Sequence, residues 1–396
     1  LDKSASYDLF FDGKSLDSNI TVKRVYTKKE TNKISRAIIE LLGGDTALNT
    51  FDEIDDSTFE IGKPVLIKIG FDNIHEKVFE GIIESNSVIL NSGYQMDAHK
   101  SFLRIECVDK AIKLTKSNYN EIYFDSLESE IIKKVIKDTV DIDISIEKTE
   151  FKYDFVPKYK IDDWSFIKEL VTKNGMLIIN SNNKIIITNP KLTNSALTLS
   201  NNGETYSFFA KQRSENQLSK IEVNSLDIFN EKKLSKTANE PNNNLVSTKK
   251  IDTIQLNKLL PEKSQINFSR NLEPNDLKKI ANSKLKYLRL REVYGKVSFL
   301  GAPKIDVNST ISLEGFGKKF NGEVYVSSVS HQLMGGTILT EVSFGLNDDV
   351  FKNINIDNYK LRNEISGIHI GKITDIEKDP KNEYRVKVVI PELTTI

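Results

Sequence analysis

The chain has 396 residues, more than one hydrophobic core ordinarily serves, and with 38% hydrophobic and 28% charged residues it reads as a soluble globular protein of roughly two to four domains. Its 56 basic residues balance 56 acidic ones, so net charge supplies no global attraction to nucleic acid or an anionic membrane. One cysteine, Cys107, excludes an intrachain disulfide and fits assembly in the cytoplasm, and no apolar run approaches the roughly 20 residues of a membrane-spanning helix.

Alternating runs at 7–11 and 19–26 around Asp12-Gly13-Lys14 predict a hairpin. Ile34, Ile38, Leu41 and Leu42 follow helical spacing and stop at Gly43-Gly44, which predicts a short helix over the sheet. Strands are expected again at 64–71, 77–84 and 101–108, the last with Cys107 as a buried core residue. Residues 1–112 therefore read as a first β-barrel domain.

Residues 113–200 change character to an α+β insert. Asp125 and Glu128 have capping-box spacing ahead of a helix with Leu127, Ile131, Ile132, Val135 and Ile136 on one face. A second helix starts near Asp162-Asp163, turns Phe166, Ile167, Leu170 and Val171 inward, and stops at Asn174-Gly175 in a left-handed end. Runs at 176–179 and 184–187 then predict a hairpin.

Strand patterns return at 206–210 and 218–223, and the polar stretch 230–250 is expected to be a solvated loop. A helix follows Glu273-Pro274 with Leu277, Ile280, Ala281, Leu285 and Leu288 as its apolar stripe. Strands at 292–300, 310–314, 323–333 and 337–345 complete a second β-barrel domain at 201–348, and the likeness of the two barrels suggests a duplication. Residues 349–366 read as a linker. In 367–396, Ile368, Ile370 and Ile373 alternate on one side of a turn at Asp379-Pro380-Lys381-Asn382, and Val386, Val388 and Ile390 on the other. An isolated hairpin is marginal in water, so this stretch is expected to open a further barrel of a longer polypeptide.

The chain offers little conventional chemistry. Its histidines, His75, His99, His331 and His369, stand in no metal-binding context, and no nucleophile elbow, phosphate loop or dinucleotide fingerprint occurs, so neither metal nor cofactor is expected. Gly315-Phe316-Gly317 leads into a strand rather than a helix and reads as a hairpin turn. The pairs Asp55-Asp56, Asp162-Asp163 and Asp348-Asp349 stand where acids cap turns and helix starts, Trp164 reads as a packing anchor, and the lysine runs at 113–116, 232–236 and 278–286 read as solvated faces.

One ordered set of motifs narrows the reading: Asp163, Trp164 and Phe166 with Gly175; Gly301 and Pro303, then Asn321, Gly322, Tyr325 and His331; and Gly371, Arg385 and Pro391. The set resembles the VgrG spike proteins of type VI secretion and the related hubs of contractile phage tails. The resemblance implies a mainly β fold with two tube-like β-barrel domains, an α/β subdomain and the start of an OB-fold at 367–396, and a structural role for these residues. It further implies a homotrimer between a hexameric, Hcp-like inner tube and a three-fold needle. Baseplate proteins, a PAAR-like tip protein and effectors are its implied partners, with no nucleic acid, and expulsion with the needle is its implied fate. Two other readings stand beside it. A cell-wall glycanase at the tip of a similar apparatus requires two convergent carboxylates in a cleft, and an adhesin or carbohydrate-binding module requires a patch of exposed aromatics.

Overall fold

The computed structural model describes residues 4–43, 56–89 except 73, 101–201, 205–214, 217–218, 220–227, 230–241, 251, 253–259, 263–268, 272–346, 368–377, 379 and 384–391. The expected linker at 349–366, the turn residues Pro380, Lys381 and Asn382, and Asp55, His99, Asp348 and Asp349 lie outside the described residues.

The first strand group comprises β1 (Ala5–Phe11), β2 (Lys14–Ser15), β3 (Val22–Glu30), β4 (Arg36–Leu42), β5 (Pro64–Phe71), β6 (Ile74–Ile89) and β7 (Phe102–Val108). Period-two alternation drives it. Leu9 and Phe11 of β1, Val65, Ile67 and Ile69 of β5, and Ile39, Leu41, Ile105 and Cys107 point into one core, where Phe11 meets Phe59 edge to face at 5.0 Å. Two expectations are corrected here. Residues 36–42 form a strand and not a helix: Ala37, Ile39 and Leu41 share the buried face, and Glu40 is sheltered by Arg24 and Arg104 at 3.1 and 2.9 Å. The run 7–11 does not pair with 19–26. At Asp12 and Gly13, whose φ angles are 50° and 76°, β1 folds back only onto the short β2, its long partner is β5, and β3 pairs with β4.

The insert contains β8 (Glu121–Leu127), α1 (Glu128–Thr139), β9 (Asp143–Ile146), β10 (Lys152–Lys158), α2 (Asp163–Lys173), β11 (Leu177–Asn180) and β12 (Lys184–Thr188). β8 pairs with β10, and β11, β12 and β9 form a small sheet under the helices. The start of α1 differs from expectation. Asp125 still belongs to β8 with a positive φ of 43°, and it is Glu130 that accepts the Leu127 N–H at 3.1 Å. α2 begins as expected, since Asp162 accepts the Ser165 N–H at 2.9 Å, and it ends at Gly175 with φ 66°.

The second group contains β13 (Leu197–Ser200), β14 (Thr205–Gln212), β15 (Lys220–Asp227), β16 (Lys232–Thr237), α3 (Thr253–Leu259), β17 (Lys263–Phe268), α4 (Pro274–Leu290), β18 (Val293–Leu300), β19 (Thr310–Glu314), β20 (Gly322–Met334) and β21 (Thr337–Phe344). The stretch expected as loop contains β16, whose exposed polar side chains hid a strand bonded to β15 along its length. Together β15, β16 and β17 form a sheet on which α4 lays Leu277, Ile280, Ala281, Leu285 and Leu288. At the end of the chain β22 (Lys372–Asp375) pairs with β23 (Lys387–Val389).

The two strand groups are not separate sheets. β20 bonds to β21 on one side and to β3 on the other, from Ser328 opposite Glu30 to Leu333 opposite Val25. A single thirteen-stranded sheet results, ordered β14-β18-β21-β20-β3-β4-β7-β6-β5-β1-β2, with β19 and β13 branching from β20.

Candidate assembly site at the junction of the strand groups

After β18 the chain turns through Gly301 and Ala302, both left-handed with φ 85° and 59°, into Pro303. The Gly301 N–H donates to the Ile338 carbonyl at 2.9 Å, and its own carbonyl accepts the Thr340 hydroxyl. That hydroxyl also contacts His331 Nδ1 at 2.9 Å, so Gly301 and His331 meet through Thr340. Beside them Lys29 of β3 donates to Asp306 at 2.9 Å and to Ser181 of the insert at 2.7 Å. The turn thus joins both strand groups and the insert. Pro303 lines an apolar groove of about 400 Å³ with Phe71, Ile74, Leu197 and Ile305, while Lys304 pairs with Glu76 at 3.3 Å.

Asn321 closes the preceding hairpin by accepting the Phe316 N–H at 2.8 Å, and Gly322, at φ 126°, enters β20 opposite Leu313. Tyr325 is buried and donates to Asn308 at 3.1 Å. The other motif residues lie elsewhere. Asp163, Trp164, Phe166 and Gly175 belong to the insert, where Trp164 and Phe166 are buried. Gly371 packs against Val388, Arg385 pairs with Asp379 at 2.7 Å, and Pro391 follows β23.

His331 is 5% exposed, and burial first, with the Lys29 charge second, pushes its pKa down from 6.5 to about 4. Between these values the unfolded chain binds a proton that the native chain does not, so stability rises with pH. The His331 contribution is expected to be complete above pH 6.5 and to be lost as pH falls toward 4, a change of about 3 kcal/mol. Urea unfolding at stepped pH checks this, and a pH slope unchanged in His331→Gln would refute it.

Several polar groups differ from the sequence reading. Asp162 caps α2, but Asp163 is fully buried against Lys158. The lysine run 278–286 is not one solvated face. Lys284 is buried, while Lys279 and Lys286 are partly buried with pKa values lowered mainly by desolvation. Lys279 and Lys173 both pair with Glu128, which is itself fully buried. Burial raises the pKa of Asp109, yet its carboxylate accepts the N–H groups of Ala111 and Asn183 and so holds two turns. Among the described residues no group of three metal-ligating side chains is assembled. Sequence reasoning also missed a hydrogen-bonded chain on the outer face of the first group, Ser6–His75–Asp8, with both links at 2.7 Å. No local motif marks it, because the pairing order of β1, β5 and β6 creates it.

A mostly β chain whose two strand groups are fused at β20–β3 and carry an α+β insert shares its fold with phage tail proteins and a type VI secretion component. The 43 kDa tail protein of prophage MuSo2 from Shewanella oneidensis is similar over 88% of this chain and 99% of its own, at 12% identity and TM-score 0.63. The E. coli c3393 protein, a type VI secretion component with structural similarity to the T4 tail proteins gp27 and gp5, is similar over 97% and 90%, at 12% identity and TM-score 0.56. A chain of the lidded Francisella PdpA-VgrG complex is similar over 95% and 56%, at 10% identity and TM-score 0.53. No curated protein matches the chain in sequence. Residues 2–335 match the family described as the Alg8 N-terminal domain, and the chain belongs to that family.

Proposed function

We propose that the chain is the structural spike or hub of a contractile injection apparatus and acts as a homotrimer. Residues 1–112 and 201–348 are then its two tube-like domains, 113–200 the insert, and 367–396 the start of the OB-fold that leads to the needle. Three chains with two such domains each present six units to a hexameric, Hcp-like tube and three to the needle. The carrying observation is the β20–β3 pairing, which joins the two strand groups in one sheet and supports reading them as one arc. The arc ends in β14 on one side and in β1 and β2 on the other, and a neighbouring copy covers such end strands while cyclic symmetry closes the ring. Baseplate proteins, a PAAR-like tip and effectors are the remaining partners. Assembly takes place in the bacterial cytoplasm, and the hub is expelled with the needle into the target envelope. In this role Gly301, Pro303, Asn321, Gly322, Tyr325 and His331 shape the junction, and neither metal nor cofactor is required.

Light scattering tests the reading. The expected mass is three times that of the 45.0 kDa chain. A species that stays monomeric at high concentration would overturn the trimer.

A further inference from the structure

Ser6 and Asp8 lie two residues apart on β1 and so share its outer face, while His75 is the second residue of β6, two strands away. β5 runs between them, and in its register Gly70 stands opposite both Ser6 and His75. A glycine is required there, because a Cβ at Gly70 would come within 1.9 Å of the Ile74 carbonyl oxygen. Without a side chain on Gly70 the imidazole lies across β5. Its Nε2 is 2.7 Å from Ser6 Oγ and its Nδ1 is 2.7 Å from Asp8 Oδ2. The His75 side chain is 10% exposed, whereas that of Asp8 is 43% exposed. When Nδ1–H donates to Asp8, Nε2 is left as the acceptor of the Ser6 proton, which is the arrangement that makes a serine hydroxyl nucleophilic.

We propose that Ser6 is an activated nucleophile with His75 as its general base and Asp8 as the positioning residue, and that the site takes a carboxylic ester. Ser6 Oγ adds to the ester carbonyl carbon as its proton passes to His75 Nε2. The tetrahedral intermediate then breaks the bond to the alkoxy oxygen, which leaves as the alcohol with that proton and gives acyl-Ser6. A water molecule next delivers a proton to Nε2 as its oxygen attacks the acyl carbon. Ser6 departs and regains the proton, releasing the carboxylic acid, so the sum is ester plus water to alcohol plus acid.

The test is covalent capture. The full chain is incubated with a fluorophosphonate probe, and the adduct is located by peptide mass spectrometry. Ser6 is expected to be modified well ahead of every other serine and the signal to vanish in Ser6→Ala. His75→Ala is expected to slow capture about 100-fold or more, with added imidazole restoring part of the rate, which loss of a merely structural bond would not allow. Asp8→Asn is expected to slow capture at least about tenfold, with Asp8→Glu recovering some of it. His75→Gln serves as the second variant if the alanine chain unfolds. Capture of Ser6 at the rate of the other surface serines in the folded wild-type chain overturns the proposal. So does a rate unchanged by either His75 substitution at equal melting temperature.

Discussion

Replacing Lys158 by methionine is expected to lower the stability of the fold by about 3–5 kcal/mol, because it leaves a buried carboxylate without its counter-charge. The Lys158 and Asp163 side chains are both 0% exposed and stand 2.7 Å apart. The ammonium also donates to the Tyr119 carbonyl at 2.8 Å and lies 3.6 Å from the centre of that ring. Asp163 in turn accepts the Thr139 hydroxyl at 2.6 Å. Taking both charges away together is a different experiment. Lys158→Met combined with Asp163→Leu removes the attraction and both desolvation costs, so it is expected to recover most of the loss. Trp164, the only tryptophan, adjoins Asp163 and reports the transition directly in urea titrations. A double variant less stable than Lys158→Met would show that the hydrogen bonds of Asp163, rather than charge balance, hold this corner.

Local pattern revealed elements whose burial follows a single period. The stripe of α4 and the Asp162 cap and Gly175 stop of α2 are set by neighbouring residues, and the structure places them as the spacing implies. β4 mimics helical spacing because both of its faces are partly covered, so half-buried Ile38 and Leu42 stand opposite buried Ala37, Ile39 and Leu41, and its strand character lies in pairing with β3 and β7. β16 looks like loop in the sequence because its side chains are mostly exposed and its strand character lies in backbone pairing with β15. Charges that became internal were the hardest to see. Lys279 lies in a run that looks solvated until α4 meets the insert.

Pairings between distant segments leave no local trace at all. The sequence motifs contained Gly301 and His331 but not Thr340, the residue through which they touch. They contained none of Ser6, Asp8 and His75, which come together only when β5 lies between β1 and β6. The fusion of the strand groups at β20–β3 was likewise hidden, since each strand reads as an ordinary member of its own group.

The joint between the insert and α4 is where the second large effect is expected. Glu128 opens α1 with its side chain 1% exposed. One oxygen pairs with Lys173 at 3.0 Å, and the other accepts from Lys279 at 3.0 Å and from Asn174 at 2.7 Å. Lys173 reaches Asp276 of α4 at 3.3 Å, and Tyr153 bridges Asp276 and Lys279. Two carboxylates and two ammonium groups therefore balance inside one contact. Glu128→Ala leaves that contact with an excess positive charge and is expected to cost about 3–5 kcal/mol. Burial already lowers the pKa of Lys279, and losing the Glu128 charge lowers it further. Lys279 of the variant therefore gives up its proton at lower pH in the native than in the unfolded state, and stability is expected to climb with pH through the alkaline range more steeply than that of the wild type. Hydrogen exchange should report faster opening of α1 and α2 than of β20 and β21. Equal acceleration in all four elements would mean that Glu128 stabilises the molecule as a whole rather than fastening the insert to α4.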